Sequence, residues 1–163
     1  IYLANIKESE LGNPDNEYVK QVKEYATREN AEVVSLCAKV EEDLSELTKE
    51  EKEEMLEALG LEESGLDKLI QATYDILGLA TYFTVGKDEV RAWTFKKGMN
   101  AKQCAGIIHT DFEKGFIRAE VISYDDLIEY GSELKVKEAG RARLEGKDYI
   151  MQDGDICHFR FNV

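Results

Sequence analysis

The stretch Asn5-Ile6-Lys7-Glu8 puts a carboxamide and a carboxylate within one short segment, directly after the apolar run Ile1-Tyr2-Leu3-Ala4. A strand ending in such a pair delivers both groups to the C-terminal edge of an α/β sheet, which is where these folds read ligands. An amide side chain pairs well with the N6 amino group and N7 of adenine. The segment therefore reads as a base-recognition strand, and the chain, whose first residue is Ile1, reads as starting inside a nucleotide-binding domain.

Phosphate chemistry has no matching motif. A Gly-rich phosphate cradle needs Gly-x-x-x-x-Gly-Lys-Ser/Thr. Gly86-Lys87 has Thr at position 81 and no Ser or Thr after the lysine. No Asp after an apolar strand suggests a magnesium ligand. Residues 1–163 alone are thus expected not to hydrolyse a nucleoside triphosphate, and no catalytic residue or metal site is assigned. His109, between Ile108 and Thr110-Asp111-Phe112-Glu113, could serve acid–base work, but no nucleophile accompanies it and a structural turn is the expectation. Cys157 and His158 are neighbours on a strand, so they face opposite ways. Cys37, Cys104 and Cys157 show no ligand spacing and read as reduced, buried thiols of a cytoplasmic protein. Arg91, Lys96 and Lys97 around Trp93, with Lys114 and Arg118 flanking a later strand, combine cations with rings, as RNA or ribosome surfaces require.

These groups need elements to hold them. Ile1–Ile6 reads as a strand. Asn13-Pro14 suits a helix start, with Val19, Val22 and Ala26 on its buried face. Ala31–Leu36 is a second strand, parallel to the first, so Asn5 and Ser35 should lie on adjacent loops. Thr48 and Glu51 form a capping box, Gly60 a helix stop, and Glu50, Glu51, Glu53, Glu54 and Glu57 a solvated face. Ser64 and Asp67 start another helix, whose buried stripe is expected to be Leu66, Leu69, Ile70, Thr73 and Leu77.

From Leu79 the period shortens. Thr81–Val85 and Val90–Phe95 flank a turn at Gly86-Lys87-Asp88. Asn100 caps a helix to about Ile108, Phe116–Ile122 is a strand, and Ser123–Arg141 holds short helical pieces. Glu145–Ile150 and Asp155–Asn162 read as two closing strands around Asp153-Gly154. This β-β-α-β-β-β order is that of a ubiquitin-like β-grasp. The fold class is α/β followed by α+β.

Charge divides the chain at the same place. Of the net −13, residues 1–78 carry 8 basic and 20 acidic side chains, and residues 79–163 carry 13 and 14. The first part should repel RNA, while the second can present a local basic face. No apolar run reaches the ~20 residues of a membrane span, and no DNA specificity is apparent.

Asn5-Ile6-Lys7-Glu8, Leu79–Arg91, Ala92-Trp93-Thr94, the string Gly106–Val121 (GIIHTDFEKGFIRAEV) and Glu145–Phe161 together resemble the C-terminal part of the YchF, or Obg-like ATPase, family. The resemblance implies a P-loop, GTPase-like fold in which Asn-x-x-Glu replaces the guanine motif, so that ATP is preferred and GTP used more weakly. It places nucleotide contacts at Asn5, Ile6 and Glu8, and at Ser35, Leu36 and Cys37, where the family's last base-contacting loop, usually Ser-Ala-Lys, is interrupted by Leu36-Cys37. It implies that the phosphate loop and the Mg2+ ligands precede Asn5. Residues 1–78 would be the remnant of the G domain with connecting helices, and 79–163 a TGS domain. The intact protein would be a cytoplasmic, ribosome-associated ATPase. The alternative for these residues alone is a non-catalytic module that binds RNA, ribosome or protein.

Overall fold

A computed structural model describes residues 1–86 and 89–162, in two compact units that divide between Ile76 and Leu77. In the first, β1 (Tyr2–Asn5) pairs in parallel with β2 (Val33–Leu36), Asn5 standing opposite Leu36. The crossover is α1 (Glu17–Arg28), which buries Val19 and Ala26. The helix does not start at Asn13-Pro14. Asn16 is its cap, its side chain accepting from the Tyr18 and Val19 N–H groups at 3.0 Å each, so the preceding residues form a loop.

Three helices follow: α2 (Ala38–Ser45), α3 (Lys49–Ala58) and α4 (Gly65–Leu77). Val40 and Leu44 of α2 and Leu56 of α3 form a core with Cys37. The Thr48–Glu51 capping box opens α3 as the sequence predicts, and its five glutamates are exposed. Ser64 caps α4 through the Asp67 N–H at 3.0 Å. Glu41 adds its carboxylate to the free N–H groups of Gly65 and Leu66, at 2.8 and 3.1 Å. A side chain at Gly65 would collide with the Leu36 Cβ, so this helix end meets β2 through bare backbone.

The expected buried stripe of α4 is not buried. Leu66, Ile70 and Leu77 are 49, 48 and 58% exposed, and Leu69 and Thr73 only half-covered. Periodicity shows that these residues share a face. None of them joins the buried cluster of this unit among the described residues.

The second unit contains β3 (Leu79–Val85), β4 (Val90–Lys96), α5 (Ala101–Ile108), α6 (Thr110–Lys114), β5 (Phe116–Ser123), α7 (Tyr124–Tyr130), α8 (Glu133–Glu138), β6 (Arg143–Glu145) and β7 (Asp155–Phe161). The sheet order is β4-β3-β7-β5-β6, with β3 and β7 parallel and the other pairs antiparallel. Both faces are covered, as alternation along the strands requires. Ala80, Tyr82, Phe95, Val121 and Cys157 meet Ala101 and Cys104 of α5 on one face. Phe83, Val85, Ile122 and Ile156 meet Leu127 and Val136 on the other. Tyr82 is fully buried and donates its hydroxyl to the Cys104 carbonyl at 2.8 Å, so its polar tip is satisfied inside the core.

The reading of Glu145–Ile150 as a strand is corrected. The strand is Arg143–Glu145; residues 146–149 turn, and Ile150 makes only an isolated bridge to Asn100. The turn brings Tyr149 back onto buried Asp155, which accepts from the Tyr149 hydroxyl (2.8 Å) and the Gln152 N–H (2.9 Å). Polar local bonding of this kind competes with a ladder. The β3–β4 hairpin closes through a Gly86 N–H bond to the Glu89 carbonyl; Lys87 and Asp88 of the expected turn lie outside the described residues.

Candidate functional site

Parallel pairing sets the first candidate site. The Asn5 Oδ1 accepts the Ala38 N–H at 3.0 Å, across from the start of α2, and the Ile6 N–H donates to the Leu36 carbonyl at 2.8 Å. These bonds lock the C-terminal ends of β1 and β2 together. The Ala38 bond takes one of the two acceptor sites of the Asn5 amide oxygen, and the amide N–H donors of this exposed residue have no partner among the described residues. Glu8 follows in a 3-10 turn, Glu8–Glu10, where it is exposed and its carboxylate has no partner among the described residues.

The other expected contacts are placed differently. Ser35 is inside β2, opposite Ala4, and not on a loop. Leu36 and Cys37 are buried, as is Ile6, so a ligand at this edge would meet backbone rather than the Leu36 and Cys37 side chains. The group beside Asn5 is the backbone N–H of Ala38, the first residue of α2. The sequence reading missed it because the contact depends on strand register. Beside this edge an open cleft of about 510 Å³ runs between β1 and α1, lined by Asn5, Ile6, Lys7, Glu10, Tyr18 and Val22 among others. Glu8, Ser35, Leu36 and Cys37 do not line it. Glu10 is held by the Lys7 N–H at 3.0 Å and by Asn16 at 3.2 Å, and these bonds keep its carboxyl below the usual range.

The expected basic set is not one patch. Arg91 and Lys96 lie at opposite ends of β4 and, by alternation, on opposite faces. Arg91 covers the Trp93 ring at 4.2 Å, while the Trp93 Nε1 donates to the Thr84 hydroxyl at 2.9 Å. Lys114 ends α6. Arg118 sits on β5 directly opposite Arg160 of β7, a cation that sequence distance concealed.

His109 proves to be a cap, its Nδ1 accepting the Asp111 N–H at 3.2 Å. His158 points away from buried Cys157 and pairs with Glu133 at 3.0 Å. All three cysteines are buried and unpaired, and burial pushes the Cys104 thiol up to about 12. Among the described residues no group of three or more His, Cys, Asp or Glu could hold a metal ion, and no helix is long and apolar enough to cross a membrane.

Known proteins match this arrangement throughout. The family model YchF-GTPase_C, described as "Protein of unknown function (DUF933)", matches residues 79–162. The "Ribosome-binding ATPase YchF" of Bacillus subtilis is 60% identical over the whole chain, which spans 45% of that protein. The "Obg-like ATPase 1" of Rattus norvegicus is 46% identical, again over the whole chain and 41% of the relative. The solved Schizosaccharomyces pombe YchF GTPase superimposes with a TM-score of 0.83 at 39% identity, over 98% of this chain and 43% of that one. The chain thus spans less than half the length of these relatives. With a family model over its second unit and YchF proteins aligned along the whole of its own length, this chain belongs to the YchF family of Obg-like ATPases.

Proposed function

We propose that this chain is the base-reading and docking part of a cytoplasmic, ribosome-associated ATPase. Residues 1–78 would complete a P-loop, GTPase-like nucleotide domain, and 79–163 would form a TGS module of β-grasp type. The observation that carries the first half is the Asn5–Ala38 bond at the C-terminal edge of a parallel strand pair. The Asn5 amide N–H donors can donate to adenine N7, and the unpartnered Glu8 carboxylate can accept from the N6 amino group. ATP would be the preferred nucleotide and GTP a weaker one. Phosphoryl transfer works mainly by positioning and charge stabilisation from a phosphate loop and Mg2+. Those ligands would come from the rest of the family protein, so these residues alone would not turn ATP over.

The second half is supported by the strand order β4-β3-β7-β5-β6, with α5 across one face, which is the ubiquitin-like arrangement. The relatives' printed names include ribosome binding. The near-balanced charge of residues 79–163 makes this unit the better docking surface, since the −12 of residues 1–78 repels RNA phosphates.

The test uses the full-length protein. Glu8→Ala removes a base-edge pair worth ~1–3 kcal/mol, so ATP affinity should fall by roughly tenfold with the melting temperature unchanged. Undiminished affinity for ATP would show that the base is read elsewhere. Co-sedimentation with ribosomes tests the docking half.

A further inference from the structure

The second sheet ends in β4 on one side and β6 on the other, and the two edges differ. β6 is three residues long, and a short edge strand discourages further pairing. β4 runs for seven residues in unbroken register with β3, with neither a bulge nor a proline. Val90, Arg91 and Ala92 are exposed along it, Val90 to 70%. Trp93, the single tryptophan of the 163 residues, stands at its centre. The one protective device on this edge is charge, with Arg91 near one end and Lys96 at the other.

The ladder sets which backbone groups the edge presents. The Gly86 N–H donates to the Glu89 carbonyl at 2.8 Å, and the Lys97 N–H to the Gly78 carbonyl at 2.7 Å. Opposed residues of an antiparallel pair alternate between bonded and non-bonded. Counting from either end, Arg91, Trp93 and Phe95 bond to β3. Val90 and Ala92 therefore aim their N–H and C=O groups away from β3, to the side where no strand lies among the described residues.

The cations suit the same geometry. Arg91 covers Trp93 on one face of the sheet, and Lys96 lies on the other. A ligand lying flat on either face meets one of them. A strand laid along the edge alternates its side chains between both faces, so acids opposite Arg91 and Lys96 meet both. The ion pair of Arg91 with exposed Glu89 spans 3.9 Å, and Lys96 has no ion-pair partner among the described residues. A second copy would set Arg91, Lys96 and Lys97 against the same three cations, with one Glu89 on each side, and such edges repel. An acidic strand gains charge pairing where a second copy loses it.

We propose that β4 receives an extended, Asp- or Glu-bearing segment of a protein partner as an additional strand, with backbone bonds at Val90 and Ala92 and carboxylates at Arg91 and Lys96. This inference rests on the reading of the second unit as a ribosome-docking module. It makes the contact a ribosomal protein and assigns the edge that the protein pairs with.

The test is co-sedimentation of the full-length protein with purified ribosomes over a salt series. Proline is tolerated on an edge strand where the N–H faces away from the ladder, so Ala92→Pro should keep the parent's melting temperature. It should bind roughly tenfold more weakly, since a backbone bond to the partner is lost. Arg91→Glu/Lys96→Glu should bind at least as weakly and lose most of the salt dependence; this surface variant decides the matter if the proline disturbs the fold. Lys147→Gln, in the turn after β6 at the far edge, should bind like the parent. A benzophenone photo-crosslinker at Val90 should join a ribosomal protein at a segment carrying Asp or Glu. Crosslinking to ribosomal RNA, to a Lys- and Arg-rich segment or to a second copy would overturn the proposal. If the parent sediments and the double variant sediments equally, the strand proposal falls alone. If the parent fails to sediment with ribosomes, the docking reading falls and takes this inference with it.

Discussion

Gly115, between α6 and β5, lies against the backbone of Asn162, just past the end of β7, and alanine there should be costly. An added Cβ would stand 2.8 Å from the Asn162 carbonyl carbon and 3.2 Å from its nitrogen, with the oxygen closer still. Ordinary contact begins at 3.4 Å, so one backbone must move by more than half an ångström away from the other. Gly115 has φ −89°, so the difficulty is space and not backbone conformation. The Asn162 N–H donates to the Gly115 carbonyl at 2.9 Å, and Phe112 stacks on Phe161 with centroids 3.7 Å apart. Both interactions lie across the contact that must open. Overpacking of this kind costs ~1–3 kcal/mol, and a unit of this size loses ~4–8 °C per kcal/mol. Gly115→Ala should therefore lower the Trp93-detected melting temperature by roughly 5–20 °C. Gly146→Ala is the control, since nothing lies within 4 Å of its Cβ, and it should melt within about 3 °C of the parent, a surface change being worth ~0.5 kcal/mol or less. A Gly115→Ala protein that melts with the control would refute the argument.

Further outcomes follow from the same contacts. Tyr82→Phe removes the bond to the Cys104 carbonyl inside the core and should cost ~1–2 kcal/mol in urea unfolding; a change below ~0.3 kcal/mol would mean that the bond carries no net stability. The Lys137 hydrogen bond, followed by the nearby His158 and Arg160 charges, holds the Glu120 carboxyl below its ordinary value. A depressed folded pKa gives stability that is complete above the unfolded carboxylate value of ~4.3 and is lost as pH falls below it. Lys137→Gln should lower stability from neutral pH up to pH 9 and flatten that acid limb, while leaving stability at about pH 2 nearly unchanged, read as urea midpoints across pH. Finally, Cys37, Cys104 and Cys157 should resist alkylation at pH 8 in the folded chain and react together on unfolding; rapid labelling of Cys104 in the native state would contradict its burial.

Local signals in the sequence were reliable where the physics is local. The Thr48–Glu51 box, the Ser64 cap and the Asn100 cap of α5 all depend on residues within one turn, and all are observed. The start of α1 was misplaced because Asn13 and Asn16 offer the same capping chemistry, and only the N–H groups they face distinguish them. The α4 stripe shows a different limit: spacing groups residues on a face without saying what covers it. Ala38 and Arg160 were invisible for a third reason. Their significance comes from strand register, Ala38 beside Asn5 and Arg160 beside Arg118, and register joins residues that sequence separates.

The position of β7 has a consequence for synthesis. The last strand lies in the middle of the sheet, between the first strand of its unit and β5. A nascent chain stopped at Gly154 holds the β3–β4 hairpin and the β5–β6 pair as separate pieces with nothing between them. Both would present open edges, a hazard for pairing with other chains. Non-local closure of this kind is slow, and translation delivers ~5–20 residues per second. The unit therefore waits, incomplete, until β7 leaves the exit tunnel. A stop codon at Gln152 should leave an aggregation-prone species, whereas a premature stop within α4 would leave none of this sheet to aggregate.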